Sequence, residues 1–188
     1  NENGGNCGGD QITLSQAQSQ MRIGYGRGWT GIAASALAWS VAAAVAWQGN
    51  GQQAIWALLL GGVLIFPASL LLCRLTGLPG THPKGNPLGQ LAGASTFWLI
   101  FSLPIAWLLG QQQPAWFFAA MLLVIGGRYL VFATIYGMAL YWALGLLLAA
   151  AGFGLTAANQ PAAVLASAGA AIEAAFAIAC ALIHHRQR

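Results

Sequence analysis

Apolar residues in this chain are gathered into six long runs that short polar stretches separate. The runs cover residues 29–48, 53–73, 90–109, 115–136, 138–158 and 162–183. A helix needs about 20 residues to cross the hydrocarbon core of a bilayer, and each run has about that length. The pattern therefore predicts an all-α protein, a polytopic transmembrane bundle of six helices whose outer surface contacts the lipid bilayer.

The boundary between the fourth and fifth helices is the hardest to place, because residues 115–158 are almost continuously apolar. We favour a turn at Tyr136-Gly137-Met138. The competing turn at Gly126-Gly127 would leave a fourth helix of about a dozen residues, which is too short to span a bilayer. Pro67 and Pro104 lie inside the second and third runs and are expected to kink those helices.

The rest of the chain divides around these runs. Residues 1–10 are rich in Gly and Asn and are predicted to form a disordered head. Residues 11–27 are interpreted as a cytoplasmic amphipathic helix. The transmembrane domain then takes residues 28–185, and residues 186–188 form a basic tail.

The amphipathic helix has a recognisable beginning. Thr13 and Gln16 have the spacing of a capping box, and Leu14, Ala17 and Met21 fall on one helical face. A short helix of this kind is expected to lie on the membrane surface. A solvated, partly ordered tail is the alternative.

Charge is scarce and unevenly distributed. Of the 188 residues 58% are hydrophobic and 5% are charged, whereas soluble domains carry about a quarter charged residues. Basic residues are too few and too scattered for binding a nucleic acid. Those outside the runs all fall in alternate connections or at the ends of the chain: Arg22, Arg27, Arg74, Lys84, Arg186 and Arg188.

This alternation predicts the orientation of the protein. Cytoplasmic loops of membrane proteins are enriched in Lys and Arg, and the connections after the first, third and fifth runs carry no charge. With six spans, both termini are then cytoplasmic in a multi-pass protein of a bacterial inner (cell) membrane. The basic tail is expected to contact anionic lipid at the cytoplasmic face.

Similar polar stretches precede three of the runs. Residues 52–56 and 112–116 both read Gln-Gln, two further residues and Trp, and residues 159–162 open the sixth run with Asn-Gln-Pro-Ala. One interpretation is a helical hairpin repeated three times. The alternative is that Ala, Leu, Gly and interfacial Trp recur in any membrane protein.

Two charged residues lie deep inside predicted spans. At 1.5 Å per residue, Arg128 is about 20 Å and Glu173 about 17 Å from the same membrane surface. An isolated charge there costs about 2.5–3.5 kcal/mol on insertion scales. Glu173 shares a helical face with Ala166, Ala170 and Ala177, and small residues favour close packing against a neighbouring helix. We therefore expect Arg128 and Glu173 to face the bundle interior and to interact, directly or through water.

Three interpretations of this charge pair remain open. It forms a transport or proton site, as intramembrane ionisable residues usually do. It is an ion pair that fixes the helix register. Or Arg128 extends to the cytoplasmic headgroups, about 12 Å away. Tyr129, Phe132 and Tyr136 share one face of the same helix and could line a pathway, although aromatic core packing is the favoured explanation.

Nothing in the chain indicates catalysis. Nucleotide-binding, zinc-protease and serine-hydrolase motifs are missing from the sequence, and two of the three acids, Glu2 and Asp10, lie in the head. We therefore expect no catalytic residue. The histidines, His82, His184 and His185, lie outside the deep parts of the runs, so no metal or other cofactor is expected either.

Several stretches resemble an uncharacterised family of bacterial integral membrane proteins, a domain of unknown function. They are Met21-Arg22 with Gly24-Tyr25-Gly26, WALLLGG (56–62), GNPLG (85–89), AWFFAAMLLVIGGRYLVFATIYGM (115–138), YWALG (141–145) and Ile172-Glu173. The resemblance implies a six-span membrane fold and no established activity.

Two functions follow as hypotheses. The first is a small transporter or permeation module that uses the Arg128 and Glu173 charges. The alternative is a non-catalytic structural or assembly subunit of a larger membrane complex. A membrane-protein partner at fixed stoichiometry would favour the subunit, and a lone monomer or a homo-oligomer would favour transport.

Overall fold

The computed structural model describes residues 12–186. These residues form seven α-helices and one 3₁₀ turn, and no strand occurs among them. The elements are α1 (Leu14–Gly24), the 3₁₀ turn (Gly26–Gly28), α2 (Trp29–Trp47), α3 (Gly51–Leu75), α4 (Pro87–Gln112), α5 (Pro114–Tyr136), α6 (Leu140–Ala157) and α7 (Ala162–Arg186). The predicted disordered head and residues 187–188 of the basic tail lie outside the described residues.

Six of the helices, α2 to α7, are long and apolar enough to cross a membrane, which confirms the predicted bundle. The predicted turn after the fourth span is also confirmed. Helix α5 runs without interruption through Gly126-Gly127 and ends at Tyr136, and Gly137 follows with a left-handed φ of 60°. Pro67 and Pro104 lie inside α3 and α4.

Helix α1 begins with the predicted capping box. The Thr13 hydroxyl accepts from the Gln16 backbone N–H, and the Gln16 side chain accepts from the Thr13 N–H at 2.9 Å. Ala17 and Met21 are buried where α1 packs against α4 and α5. The Leu14 side chain, on the same face of the helix, is 59% exposed. The contact with the bundle begins at Ala17, and Leu14 lies one turn before it.

Polar side chains fix α1 to the end of the bundle. The Asn86 amide donates to the Ala17 carbonyl and to the Gln20 side chain, both at 3.0 Å. The Gln18 amide donates to the Thr134 carbonyl at 2.8 Å. These bonds tie α1 to the start of α4 and the end of α5, so its orientation is set by the protein. Its location on a membrane surface stays a prediction.

The connection between α3 and α4 packs onto the same end of the bundle. The Gly80 N–H donates to the Gly24 carbonyl at 2.9 Å, and the Tyr25 hydroxyl and His82 Nδ1 are 3.0 Å apart. Burial, and secondarily the nearby Cys73 thiol, raises the pKa of the Tyr25 phenol above its ordinary value. We call this end of the bundle, where Arg22, Arg27, Arg74, Lys84 and Arg186 lie, the basic end.

The interior of the bundle is built around α2 and α5. Helix α2 packs extensively on α7 and α3, and α5 packs extensively on α6 and α4. Helix α6 contacts α5 much more than it contacts α7. A hairpin of α6 and α7 is therefore less closely packed than the hairpins α2–α3 and α4–α5, and the threefold hairpin repeat stays a prediction.

Candidate functional site

The Glu173 carboxyl group lies at the centre of the bundle and has no exposed surface. It is eleven residues from the start of α7, about 17 Å along the helix axis. Small side chains on the same face of α7 let α2 approach closely. At Gly169 an added Cβ would lie 2.7 Å from the Trp39 ring, so the indole of α2 covers the turn of α7 before Glu173.

The two oxygens of this carboxyl group have different surroundings. The Tyr129 hydroxyl, from α5, donates to Oε1 at 3.1 Å. Ser35 and Trp39, both on α2, face the same group. Oε2 and the Trp39 indole Nε1 are buried and have no hydrogen-bond partner among residues 12–186. A buried polar group left without a partner costs about 1–3 kcal/mol, and Ser35 and Trp39 are the side chains placed to meet this carboxyl group.

Arg128 is held by a different helix. Its Nη2 donates to the Thr96 hydroxyl of α4 at 2.9 Å, and its guanidinium carbon lies 5.1 Å from the centre of the Phe132 ring. Thr96 is nine residues from the start of α4, about 14 Å along the axis. The guanidinium therefore stays at the depth of Thr96 and does not extend to the end of the bundle.

Arg128 and Glu173 do not bond directly. The Glu173 carboxyl group accepts from Tyr129 and is faced by Ser35 and Trp39, whereas Arg128 donates to Thr96. The reason lies in helix geometry. Consecutive residues point about 100° apart around a helix axis, so when Tyr129 points to α7, Arg128 points to α4. The predicted direct contact is absent, and contact through water stays a prediction.

An aromatic cluster connects this carboxyl group with the basic end. Tyr129 and Phe132 have ring centres 6.0 Å apart, and the Tyr136 and Tyr141 rings stack at 5.2 Å. The Tyr129 and Tyr141 ring centres are 6.0 Å apart. All three tyrosines are buried, which is what the favoured interpretation, aromatic core packing, expects. A pathway lined by Tyr129 and Tyr136 stays a prediction.

Several contributors to the site were missed by the sequence analysis. They are Ser35, Thr96 and Tyr141, whose hydroxyl donates to the Arg27 carbonyl at 2.7 Å. A signal was present, because hydroxyl side chains are rare within these apolar runs and those that face a neighbouring helix serve as hydrogen-bond donors. The sequence did not indicate which of them face the interior.

In the described part of the chain, no three His, Cys, Asp or Glu side chains come together in a way that could hold a metal ion. The site as described is one carboxyl group, one phenol and one indole, with a guanidinium nearby on the other side of α5. Such a set can bind and release a proton.

Comparison with known proteins gives a family but no activity. The model of a family described as "Family of unknown function (DUF7010)" matches residues 14–183. Comparison with curated proteins and with solved structures gave no match.

Proposed function

The chain belongs to the DUF7010 family, which has no known function. From the geometry of the site we propose that the protein is a small membrane transporter in which Glu173 binds the coupling proton. One observation carries this proposal. Glu173 is completely buried within a transmembrane bundle, where its carboxyl group accepts from the Tyr129 hydroxyl and is faced by Ser35 and Trp39. Ionisable residues in such positions usually mark a transport or proton pathway.

In this proposal each group has a distinct role. Glu173 accepts and releases the proton, and the Tyr129 hydroxyl holds one carboxylate oxygen in place. Arg128 is a fixed positive charge that lowers the free energy of the ionised carboxylate without neutralising it through a direct bond. The protein is then a carrier or permeation module and not an enzyme.

Proteoliposomes test this function directly. The purified protein is reconstituted with a pH-sensitive dye inside, and a potassium diffusion potential drives proton entry. We expect proton entry above that of empty liposomes and its loss in Glu173→Gln. It should be retained in Ser95→Ala, a buried control whose hydroxyl donates to the Ala92 carbonyl of its own helix. Arg128→Lys should reduce the flux and keep the fold, because Lys retains the charge but not the planar group that meets Thr96 and Phe132.

A structural role gives a different result in the same variants. If the two charges only stabilise the bundle, neutralising either one lowers stability and neutralising both restores part of it. Wild-type flux equal to that of empty liposomes, combined with this pattern, would refute the transporter proposal.

A second candidate is a non-catalytic structural or assembly subunit of a larger membrane complex, for which the exposed faces of α3 and α4 offer a surface. Only 11% of the most apolar stretch of each helix is buried, against 50% for the first span. Mass measurement in mild detergent and identification of co-purifying proteins distinguish these cases. A partner at fixed stoichiometry supports the subunit, and a lone monomer counts against it.

We also propose that the basic end is cytoplasmic, in a bacterial inner membrane, with both termini on that side and anionic lipid around the basic tail. The support is the distribution of Lys and Arg, which obeys the positive-inside rule. Labelling of single cysteines with a membrane-impermeant reagent tests the orientation. A cysteine at Lys84 should react only after the cells are opened, and one at Gly49 should react in intact spheroplasts.

A further inference from the structure

Helices α3 and α4 follow one another in the chain, but α3 packs on α2 and α4 packs on α5. They meet near the end opposite the basic end, where the Trp56 and Trp107 ring centres are 4.8 Å apart. There a Cβ added at Gly110 would lie 2.9 Å from the Ile55 side chain. Gly62 lies two turns further along the same face of α3 as Ile55, and no atom of the described residues is within 4 Å of its added Cβ. The two helices therefore diverge from this contact towards the basic end.

The exposure of side chains shows the same divergence. Every residue of α3 from 59 to 72 and every residue of α4 from 96 to 105 is at least partly exposed. The Phe66 side chain, on the face of α3 that carries Gly62, is 67% exposed. On one face of α5, Met121 is buried, whereas Phe132, three turns closer to the basic end, is partly exposed. We call this gap between residues 59–72 and 96–105, with α5 behind it, the lateral opening.

Arg128 lies on this face of α5, between Met121 and Phe132, and its side chain is partly exposed. A guanidinium has five N–H donors. Among residues 12–186 its Nη2 donates to the Thr96 hydroxyl and its Nε has no hydrogen-bond partner. Helix α4 thus holds the charged group on one side, and the group keeps donors that an incoming acceptor can use.

The charge and depth of Arg128 select a class of ligand. It is eight residues from the end of α5, about 12 Å along the axis, which places it inside a hydrocarbon core about 30 Å thick. A cation at this depth favours an anionic partner, and a guanidinium forms paired hydrogen bonds with a carboxylate or a phosphate.

Depth then distinguishes the two anions. The phosphate of a phospholipid belongs to the headgroup, which lies outside the hydrocarbon core. A carboxylic acid can cross apolar surroundings as the neutral acid, because a buried charge is avoided by protonation. The exposed Phe66 ring and the partly exposed Phe132 ring offer apolar surface on which a hydrocarbon chain can pack.

From this arrangement we propose that the lateral opening binds a long-chain fatty acid, with its carboxylate at Arg128 and its acyl chain extending between α3 and α4 into the lipid. The inference goes beyond the proposed transport function. Binding is measured without proton flux, so either proposal can fail while the other stands.

Photolabelling tests the site. The full chain is placed in nanodiscs of phosphatidylcholine with a palmitic acid analogue that carries a diazirine and an alkyne in its chain. After irradiation, the labelled peptides are identified by mass spectrometry. We expect saturable labelling of α3 and α4 that palmitic acid prevents. Hexadecanol, which has the same chain and no acid, should not prevent it. Equal competition by hexadecanol or by phosphatidylglycerol would overturn the proposal.

A pair of arginine variants tests the role of the charge. Arg128→Gln should weaken binding by about tenfold or more, as expected for the loss of one charge-assisted hydrogen-bonded contact. Arg74→Gln is the matched control, because Arg74 is exposed and lies outside the lateral opening, at the last turn of α3. It should bind the analogue as the wild type does. An equal effect of the two substitutions would contradict a specific role of Arg128.

A steric variant leaves Arg128 in place. Gly62→Phe puts a large side chain into the lateral opening and should abolish the labelling that palmitic acid prevents. Gly154→Phe is its control, since Gly154 is an exposed position of α6 that also has no described atom within 4 Å of an added Cβ. It should leave labelling unchanged. The proposal is overturned if the two variants are labelled to the same extent.

Discussion

The close crossing of α5 and α6 allows a sharp test of the packing. An added Cβ on Gly126 would lie 2.7 Å from the Gly145 carbonyl oxygen and 3.3 Å from the Ala149 nitrogen. Both are backbone atoms that cannot rotate away. The adjacent Gly127 has no atom within 4 Å of the same position. Gly126→Ala should therefore destabilise the protein, and Gly127→Ala should not.

The expected difference can be estimated from these distances. Ordinary van der Waals contact begins at 3.4 Å, so the Cβ at 2.7 Å must force α5 and α6 about 0.7 Å apart. Overpacking of this kind costs about 1–3 kcal/mol. The gain from replacing Gly by Ala in a helix, about 0.5–1 kcal/mol, applies at both positions and cancels. Gly127→Ala should therefore be more stable than Gly126→Ala by about 1–3 kcal/mol.

The assay is reversible unfolding in mixed micelles with increasing dodecyl sulfate, followed by the fluorescence of the eight tryptophans. Gly145→Ala supplies an independent check, since its Cβ would lie 2.6 Å from the Gly126 carbonyl oxygen. It should be destabilised to a similar extent. Equal stability of Gly126→Ala and Gly127→Ala would refute the close crossing of these helices.

Three further predictions concern the site and the basic end. In a double-mutant cycle of Tyr129→Phe and Glu173→Met, the free energy of unfolding should show a coupling of about 1–2 kcal/mol, because the 3.1 Å bond joins two buried groups. Gly28→Ala should cost about 2–4 kcal/mol, since the new Cβ meets the Tyr141 hydroxyl at a φ of 80°. For Tyr25, burial raises the pKa of the folded state above the unfolded value of 10.0. The neutral Tyr25 phenol therefore contributes fully to the free energy of unfolding below pH 10, and this contribution is lost as the pH rises above 10. The free energy of unfolding of Tyr25→Phe should fall less than that of the wild type over this range.

Each of these predictions has a control that isolates its cause. Tyr136→Phe replaces Tyr129→Phe in a second cycle with Glu173 and should give no coupling. Gly49 has a φ of 84° and no atom within 4 Å of an added Cβ, so Gly49→Ala should cost only about 1 kcal/mol of backbone strain. Equal costs at Gly28 and Gly49 would show that the Tyr141 contact carries no energy. An unchanged alkaline profile in Tyr25→Phe would contradict the assigned pKa shift.

The number, length and order of the helices could be predicted from the sequence because they depend on local properties. A run of about 20 apolar residues can cross a bilayer as a helix, because a helix forms hydrogen bonds between its own backbone groups where no water is present. The break at Gly137 follows from the same length requirement, since a break at Gly126-Gly127 would have left a helix too short to span. The capping box of Thr13 and Gln16 was equally predictable, because both partners lie within one turn.

The orientation of each helix about its own axis could not be predicted from the sequence. These helices are apolar on all sides, so the pattern of the sequence does not distinguish a face towards lipid from a face towards protein. This is why the depth of Arg128 and Glu173 could be estimated but their contact could not. The 100° between Arg128 and Tyr129 decides which of them meets α7, and only packing against the neighbouring helices sets that angle.

By itself, then, the sequence determined a six-span helical bundle, its breaks, its charged side and the burial of an acid at mid-depth, all through local composition and length. Only the tertiary structure decided that Tyr129 is the partner of Glu173, that Thr96 holds Arg128, and that Ile55 meets Gly110. These contacts join residues far apart in the chain. They depend on where small residues let two helices pack closely, and this packing is set by all the helices of the bundle together.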